Sequence, residues 1–342
     1  MIGQVSSAGR QAGKILVIRG GAIGDFILTL PVFAALRRAF PQARLDVLGY
    51  PHIAPLALAG DLVDGLMSIE ARALAGFFAR DGALDRSLAD YFAGFAMMIS
   101  YLYDPDGIFR ENVARCSKAQ FIAGPHRPDE NLNLHATQVF LKPLERLAIL
   151  DADTVPRLTV ATRASSLLEL QHPRRKSIRG SEAPVPAHQN VGAAGGRRLA
   201  LHPGSGSESK NWPEERWRDL IGQLLDKTDL GFLLVGGEAE RDRVSRLSAI
   251  FPAARLEVAQ DLPLVELAKR LEPCVGLVGH DSGITHLAAA LGLAGLVLWG
   301  ETNENVWRPG GGRMILLRHP KGLPGIAVES VLERLPELLA TV

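Results

Sequence analysis

Cysteine, net charge of either sign and long apolar runs are all scarce in this chain. It has two cysteines among 342 residues, and Cys116 and Cys274 lie far apart, with no second thiol or metal-type histidine spacing nearby. This usage excludes a disulfide framework and favours free thiols in a reducing, cytosolic compartment. The formal net charge of +1 gives no electrostatic reason to expect a nucleic-acid partner.

Apolar segments long enough to cross a bilayer are lacking as well. The longest run, 287–299, is too short for a membrane-spanning helix and is interrupted by Gly292 and Gly295. Residues 1–13 have no apolar centre, so we expect no signal peptide. The composition is that of an ordinary globular protein, with 47% hydrophobic and 22% charged residues. The length suggests two domains.

Short apolar runs alternate with segments of helical composition in both halves of the chain. Runs such as 14–19, 44–49, 199–201 and 275–278 are typical of buried strands. Strands that alternate with helices predict parallel sheets covered on both faces. We therefore predict an α/β protein in which two doubly wound parallel-sheet domains face each other.

The domain boundaries follow from composition. The segment 163–198 is rich in Pro, Gly, Ser and basic residues, which indicates a linker or a flexible insertion. We predict an N-terminal domain over 1–162 and a second domain over 199–325. A C-terminal helix over 326–342 is expected to pack back on the N-terminal domain.

Four turns follow a strand and precede a helix, so we expect them at the carboxyl edges of the sheets, where open α/β proteins bind ligands. The turns are 20–25, 202–210, 236–238 and 279–283. In the last turn, Asp281 or Ser282 can cap the helix and Gly283 lets a ligand approach the backbone. The free N–H groups of such a helix start favour an anion, most simply a phosphate.

The second half supplies further groups that suit a nucleoside diphosphate. Lys210 can neutralise phosphate charge, and Ser205 with nearby backbone N–H groups can bond phosphate oxygens. A carboxylate such as Glu238 suits ribose hydroxyls instead. In the first half, Asp25 stands at the start of a helix that faces the same cleft.

Common cofactor and metal motifs are absent from the sequence. Neither Gly20 nor Gly21 is followed by glycines two and five positions later, which disfavours an NAD fingerprint. There is no P-loop and no H-E-x-x-H pair, and His286 has no clear metal partner. We therefore predict neither a cofactor nor a metal site.

Four motifs stand in a fixed order between about residues 14 and 310. They are Gly24-Asp25 within 18–31, His202-Pro203-Gly204-Ser205-Gly206 with Lys210-Asn211-Trp212-Pro213, Gly236-Gly237-Glu238, and Asp281-Ser282-Gly283 with 286–292. In that order and at those separations they resemble the heptosyltransferase family of glycosyltransferases, glycosyltransferase family 9. The chain departs from the family pattern at His280, where Asn is frequent, and at Ile284, Thr285 and Glu301.

The resemblance implies a GT-B architecture of two facing Rossmann-like domains and an inverting, metal-independent sugar transfer. The sugar would be heptose from ADP-heptose, and the acceptor a lipopolysaccharide core or another glycan or glycolipid. Asp25 would be the general base. The second domain would bind the donor, a nucleotide sugar, through Ser205, Gly206, Lys210, Glu238, Asp281, Ser282, Gly283 and His286.

By the same resemblance the N-terminal domain binds the acceptor, with expected contacts from Arg19, Gly24, Arg110 and Arg127. A lipid-linked acceptor would bring this cytoplasmic protein to the inner face of the cytoplasmic membrane as a peripheral protein. Two alternatives stay open: a sugar-nucleotide epimerase or hydrolase of the same fold, and a non-catalytic nucleotide-sugar binding protein. Asp25 argues against the second, because nucleotide binding alone does not need that carboxylate.

Several of these residues also have a plainer interpretation. Asp25 could serve only as a helix-start acid, and Arg19 could pair with a carboxylate. Lys210 could be a solvated loop residue, Glu238 could complement a helix dipole, and His286 could be structural.

Overall fold

Residues 13–160 and 196–340 are described by the structure, which is a computed structural model. The predicted linker 163–198 lies almost wholly outside these ranges. Its character and the domain boundaries at its two ends therefore stay predictions.

Parallel strands build two sheets within the described ranges, and every ladder pairs neighbouring strands in the same direction. The first sheet has the order β3-β2-β1-β4-β5 and the second the order β11-β10-β9-β6-β7-β8. The strands are β1 Lys14–Arg19, β2 Arg44–Gly49, β3 Gly65–Ser68, β4 Met97–Ser100, β5 Gln120–Ala123, β6 Arg198–Leu201, β7 Gly231–Gly236, β8 Leu256–Gln260, β9 Cys274–His280, β10 Gly295–Leu298 and β11 Met314–Leu317.

Helices connect the strands and cover the sheets. They are α1 Ile23–Ile27, α2 Leu30–Ala39, α3 Pro55–Ala59, α4 Arg86–Ala93, α5 Ile108–Ala114, α6 Ala136–Leu141, α7 Glu214–Lys227, α8 Arg241–Ser248, α9 Leu264–Leu271, α10 Gly283–Ala290, α11 Glu304–Trp307 and α12 Val328–Leu339. The alternation of strands and helices confirms the predicted α/β class, because parallel neighbours need a crossover connection.

In each sheet the side on which successive strands are added changes once, and a crevice that can bind a ligand opens at that point. In the first sheet the chain builds outward from β1 to β3 and then returns to the other side of β1 as β4. In the second sheet the same reversal separates β6 from β9. Crevices of doubly wound sheets open at such points, beyond the carboxyl ends of the strands. The turns predicted to carry the site follow β1, β6, β7 and β9.

The composition of the sequence favours one continuous helix over 26–36 and another over 131–149, and both are interrupted in the structure. The helix expected over 26–36 is split into α1 and α2, and Pro31 lies in the first turn of α2, where its missing N–H costs nothing. The helix expected over 131–149 is reduced to α6 between two 3₁₀ turns. Asn133, with φ of 52°, ends the first turn, and Pro143 cannot donate a helical hydrogen bond in the second.

The C-terminal helix does not pack on the N-terminal domain, so that prediction is wrong. α12 contacts α7 and strands β9, β10 and β11, all in the second domain. Its apolar residues Val331, Leu335 and Leu338 are buried in the core of that domain. Gly276 of β9 allows the close approach, since a Cβ there would lie 3.1 Å from Leu338. The helix buries its apolar stripe against the sheet edge that immediately precedes it in the chain.

The two domains share an apolar contact on either side of the crevice. α1 packs against α10, and α3 packs against α9. Leu56 of α3 and Leu267 of α9 belong to one continuous core cluster that reaches across both domains. In the part of the chain that the structure describes, no helix is both long and apolar enough to span a membrane.

Candidate active site

A cavity of about 780 Å³ lies between the carboxyl edges of the two sheets. This volume is in the usual range for sites that take a small organic ligand. Its walls combine residues of both predicted binding sets. From the N-terminal domain they include Arg19, Gly24, Asp25, His126 and Arg127, and from the C-terminal domain Lys210, Asp281, Ser282, Gly283 and His286.

Asp25 lies on the N-terminal wall of this cavity, in the first turn of α1. Its Oδ2 accepts the backbone N–H of Ala22 at 3.0 Å, so the carboxylate also caps the helix start. Gly21 has φ of +96°, and a Cβ there would lie 2.9 Å from Oδ2. The side chain is 23% exposed, which leaves the carboxylate open to the cavity. Asp25 therefore does act as a helix-start acid, and its carboxylate also remains accessible for chemistry on a ligand in the cavity.

Arg19 is 1% exposed and is committed to other groups of the N-terminal domain. Its guanidinium donates to the carbonyl oxygens of His126 at 2.9 Å and Asp25 at 3.1 Å, and lies 3.6 Å from the Asp25 carboxylate. It also stacks over the ring of Phe140 at 4.4 Å. Burial lowers the pKa of Arg19 to about 10, partly offset by Asp25, so the group stays cationic at neutral pH. The geometry favours holding Asp25 in place over direct contact with an acceptor.

Lys210 enters the cavity from the opposite wall. Its Nζ lies 3.4 Å from the Asp281 carboxylate and 3.3 Å from the hydroxyl of Thr302. The side chain is 51% exposed, so the ion pair with Asp281 is solvated and weak. A phosphate oxygen could approach the ammonium from the cavity side.

The start of α10 completes the C-terminal wall. Ser282 is the N-cap, and its Oγ accepts the backbone N–H of Thr285 at 3.3 Å. Gly283 touches the other domain: a Cβ there would lie 2.6 Å from the Cβ of Ile23 and 3.1 Å from the nitrogen of Gly24. The two helix starts thus meet in van der Waals contact, and only glycine fits between them.

A second pocket, of about 380 Å³, adjoins the first through Ser282 and Gly283. Most of its wall belongs to the C-terminal domain, with Ile23 and His52 added from the N-terminal domain, and it contains the remaining predicted donor contacts, Ser205, Gly206 and Glu238. The Ser205 hydroxyl contacts the carbonyl oxygen of Ser207 at 2.9 Å and the side-chain oxygen of Asn211 at 2.8 Å. Apolar side chains form the rest of the wall, including Val235, Leu262, Leu264 and Leu267. The pocket therefore has a polar rim and an apolar floor, as a nucleoside requires.

Glu240 organises the loops of this pocket and was not predicted from the sequence. Its carboxylate accepts the backbone N–H of Gly206 at 3.0 Å and that of Gly237 at 3.0 Å, although the side chain is buried. The N–H of Gly206 is thus already paired with protein. Gly204 makes room for the carboxylate, since a Cβ there would lie 2.0 Å from Glu240 Cγ.

Three buried histidines surround the C-terminal wall. Burial lowers the pKa of His202 to about 4, that of His280 to about 3 and that of His286 to about 4. All three rings are therefore neutral near pH 7. His286 lines the main cavity, and its Nδ1 has no hydrogen-bond partner among the described residues. That nitrogen is itself buried, so the unpaired atom is not open to the cavity.

The two outer arginines predicted for the acceptor lie in different places. Arg127 lines the main cavity, pairs with Glu130 at 3.1 Å and stacks 5.5 Å from the centre of the Trp307 ring in the other domain. Arg110 lines a separate cavity of about 370 Å³ in the N-terminal domain. That cavity shares Tyr103 and His126 with the main one.

Sequence reasoning missed several residues that line the main cavity. They are Tyr50, Glu70, Phe78, Tyr103 and Thr302. Thr302 follows β10 at the carboxyl edge of its sheet, and that position was a usable signal. The others follow strands of the N-terminal sheet, in loops without a motif.

The described residues of the site show no arrangement of side chains suited to a metal ion. Within the described ranges, no group of three or more His, Cys, Asp or Glu side chains is arranged to hold an ion. The charged side chains that line the main cavity are Arg19, Asp25, Glu70, Arg127, Lys210 and Asp281.

The fold is shared with solved structures across nearly the whole chain. A glycosyl transferase family 9 protein from Veillonella parvula has a TM-score of 0.72 at 18% identity, covering 96% of this chain and 98% of that chain. An E. coli heptosyltransferase with ADP has a TM-score of 0.68 at 20% identity, covering 95% and 99%. These likenesses confirm the predicted GT-B type fold of two facing Rossmann-like domains.

Sequence comparison identifies the family. Lipopolysaccharide heptosyltransferase 1 of Escherichia coli (strain K12) is 33% identical over 132 residues, which are 38% of this chain and 41% of that protein's length. The family model of glycosyltransferase family 9 (heptosyltransferase) matches residues 146–329. Because this match spans more than half of the 342 residues, the chain belongs to glycosyltransferase family 9, the heptosyltransferase family.

Proposed function

We propose that this protein is an inverting, metal-independent glycosyltransferase that moves heptose from ADP-heptose to a lipopolysaccharide-core or other glycan or glycolipid acceptor. The observation that carries the proposal is the cavity between the domains. One wall holds the accessible carboxylate of Asp25, and the facing wall holds Lys210 and the capped start of α10.

The donor binds in the C-terminal domain. The nucleoside occupies the 380 Å³ pocket, where Glu238 meets the ribose hydroxyls, and the diphosphate passes Ser282 and Gly283 into the main cavity. An adenine nucleotide is favoured because solved family relatives contain ADP and ADP-2-deoxy-2-fluoro heptose. The sugar then projects into the cavity toward the N-terminal wall.

The reaction is a single in-line displacement. The acceptor oxygen attacks the anomeric carbon, the bond from that carbon to the diphosphate oxygen breaks, and the acceptor proton passes to the Asp25 carboxylate. The diphosphate leaves with growing negative charge, which Lys210 and the N–H groups at Ser282 and Gly283 stabilise. His286 lines the same cavity and is the remaining donor contact of the C-terminal wall.

The acceptor enters over the N-terminal domain. Arg127 and His126 line its side of the cavity, and Arg110 lies in the adjoining one. These groups suit an anionic acceptor. If the acceptor is attached to a lipid, the protein works as a peripheral protein at the inner face of the cytoplasmic membrane.

Asp25→Asn tests the proposed base. Asparagine can still accept the N–H of Ala22, so the helix start is preserved while the proton acceptor is lost. We expect kcat to fall by about 10²–10⁴, the usual contribution of a general base. The measurement is ADP release from ADP-heptose with lipopolysaccharide from heptose-deficient cells as acceptor, beside ADP affinity by calorimetry without added metal.

The control is Asp90→Asn, the same chemical change on the exposed face of α4. It should leave both kcat and ADP affinity as in the wild type. A near wild-type kcat in Asp25→Asn would show that another group takes the proton. Tighter binding of UDP or GDP than of ADP would instead contradict the donor assignment.

A further inference from the structure

His280 lies at the end of β9, one residue before the turn with Ser282 and Gly283, and the reaction steps above do not use it. The ring is fully buried. It packs edge-on to the ring of Trp217 at 5.6 Å, which in turn packs edge-on to Trp212 at 5.5 Å. A polar ring in this apolar surrounding needs partners for both nitrogens.

Both partners come from the segment that carries Ser205 and Lys210. The backbone N–H of Trp212 donates to His280 Nε2 at 2.8 Å, and His280 Nδ1 lies 3.1 Å from the carbonyl oxygen of Gly204. A backbone N–H can only donate, so Nε2 is the acceptor and carries no proton. The proton is therefore on Nδ1, which donates to the carbonyl. One neutral tautomer satisfies both contacts.

The ring is uncharged at working pH, so its contacts are permanent. Burial lowers the pKa of His280 to about 3. The backbone of His280 is also engaged, since its carbonyl oxygen accepts the hydroxyl of Thr285 in α10. His280 thus bonds the second loop through its side chain and the start of α10 through its main chain.

The two ring contacts bracket the loop that faces the donor phosphates. Gly204 immediately precedes Ser205, and Trp212 comes two residues after Lys210. On the other side of His280, the chain runs directly into Asp281 and Ser282. His280 therefore joins the two phosphate-facing loops from inside the domain, beneath the more exposed contact of Lys210 with Asp281.

We propose that His280 is a positioning residue for the donor diphosphate: by bonding Gly204 and Trp212 it holds the loop 204–212 at a fixed spacing from the start of α10. The inference rests on the proposed function, because it takes the bound ligand to be a nucleoside diphosphate. It assigns His280 no contact with the substrate.

The experiment compares ADP with adenosine. Adenosine fills the nucleoside pocket, where the positioned loop contributes only Ser205 and Gly206, and it does not reach Lys210 in the main cavity. Its affinity therefore reports on folding of the domain and on that pocket, without the diphosphate contacts. We measure both dissociation constants by calorimetry, and the melting temperature, for wild type, His280→Leu, His280→Asn and His280→Gln. Asparagine can reproduce the donor to Gly204, and glutamine the acceptor for Trp212, whereas leucine reproduces neither.

The expected result is a selective loss of ADP affinity. His280→Leu should weaken ADP about tenfold relative to adenosine, the order expected when one or two hydrogen bonds are lost. His280→Asn and His280→Gln should each recover part of that factor. The proposal is overturned if folded His280→Leu keeps the wild-type ratio of the two constants, or loses both affinities equally. Should the leucine variant not fold, wild-type ratios in both amide variants overturn it as well.

A double-mutant cycle separates positioning from a plain loss of stability. If His280 acts by placing Lys210, then Lys210→Met and His280→Leu should lower ADP affinity less together than the product of their separate effects. If the effects of the two substitutions on ADP affinity simply multiply, His280 does not act by placing Lys210. A wild type that binds adenosine but no nucleoside diphosphate would refute the proposed function itself, a result distinct from either outcome.

Discussion

Arg19 connects the proposed base to the rest of the N-terminal domain. The sequence interpretation left it undecided between an acceptor contact and a carboxylate partner. In the structure it bonds the main chain of Asp25 and His126 and lies beside the Asp25 carboxylate. A planar guanidinium presents its donors from separate nitrogens in a fixed fork, whereas an ammonium presents three donors from a single atom.

Arg19→Lys should therefore damage catalysis more than donor binding. We expect kcat to fall roughly tenfold or more, because lysine keeps the charge but loses the forked geometry that orients Asp25. ADP affinity should stay within about twofold, since the donor pocket lies in the other domain. Arg334→Lys, an exposed position on α12 that pairs with Glu337, is the matched control. Equal losses of kcat and ADP affinity would contradict the positioning role.

Sequence patterns predicted the exposed members of this site better than the buried ones. Lys210 and Ser282 belong to motifs with a direct chemical reason, and the structure brings both to the cavity. Glu240 and His280 bond backbone groups of loops that are distant in sequence. Those partners exist only once the loops have folded, so spacing along the chain carries no signal for them.

At the scale of elements, the contact between α1 and α10 sets the width of the cavity. Most strands were predictable because their runs are largely apolar, as expected when both faces of a sheet are covered, but β11 was not predicted. The helices were less predictable from the sequence. Helices α3, α5 and α11 were not predicted, and α1 is separate from α2. Short helices with few turns give too little periodicity to recognise.

Gly283→Ala tests this contact. The new Cβ would lie 2.6 Å from Ile23, so α10 must shift away from α1. A displacement of about 1 Å between donor and base can lower kcat about a hundredfold. We expect that loss in steady-state kinetics, with a smaller change in ADP affinity.

Gly222→Ala is the matched control, because a Cβ on Gly222 in α7 meets nothing within 4 Å. It should leave kinetics unchanged and raise the free energy of unfolding by about 0.5–1 kcal/mol, the usual gain over glycine inside a helix. Wild-type kcat in Gly283→Ala would show that the helices can separate without moving the reacting groups.

For the whole molecule, the three buried histidines predict acid sensitivity. Each has a folded pKa of about 3 or 4 against 6.5 for the free side chain. Protons therefore bind the unfolded chain preferentially. The stability that the neutral buried histidines contribute is complete above about pH 6.5 and is lost as pH falls toward 4. Each histidine should contribute about 1.4 kcal/mol per pH unit in that window.

Urea unfolding at half-unit steps from pH 5 to pH 8 measures the effect. The free energy of unfolding should level off above pH 6.5 and fall steeply below it. His280→Asn should reduce the slope of the unfolding free energy against pH by about the contribution of one histidine. A slope that is flat between pH 5 and pH 6.5 would mean that these rings are protonated in the folded protein.

The architecture of the two domains was predictable and the way they meet was not. Strand-like runs that alternate with helical segments specify parallel sheets. In doubly wound folds the loops that bind ligands lie at the carboxyl edge of the sheet. Nothing in the pattern identifies which apolar helix faces pair across the gap. The C-terminal helix illustrates this, since its stripe would suit either domain and only the shape at Gly276 decides.

Trp307 is a natural fluorescent probe of the cavity between the two domains. Of the four tryptophans, all within the described ranges, Trp212, Trp217 and Trp299 are at most 1% exposed. Trp307 instead lines the main cavity and donates its indole N–H to Glu130 of the opposite domain at 3.0 Å. We therefore expect its fluorescence to change when a ligand enters the cavity or when the two domains separate.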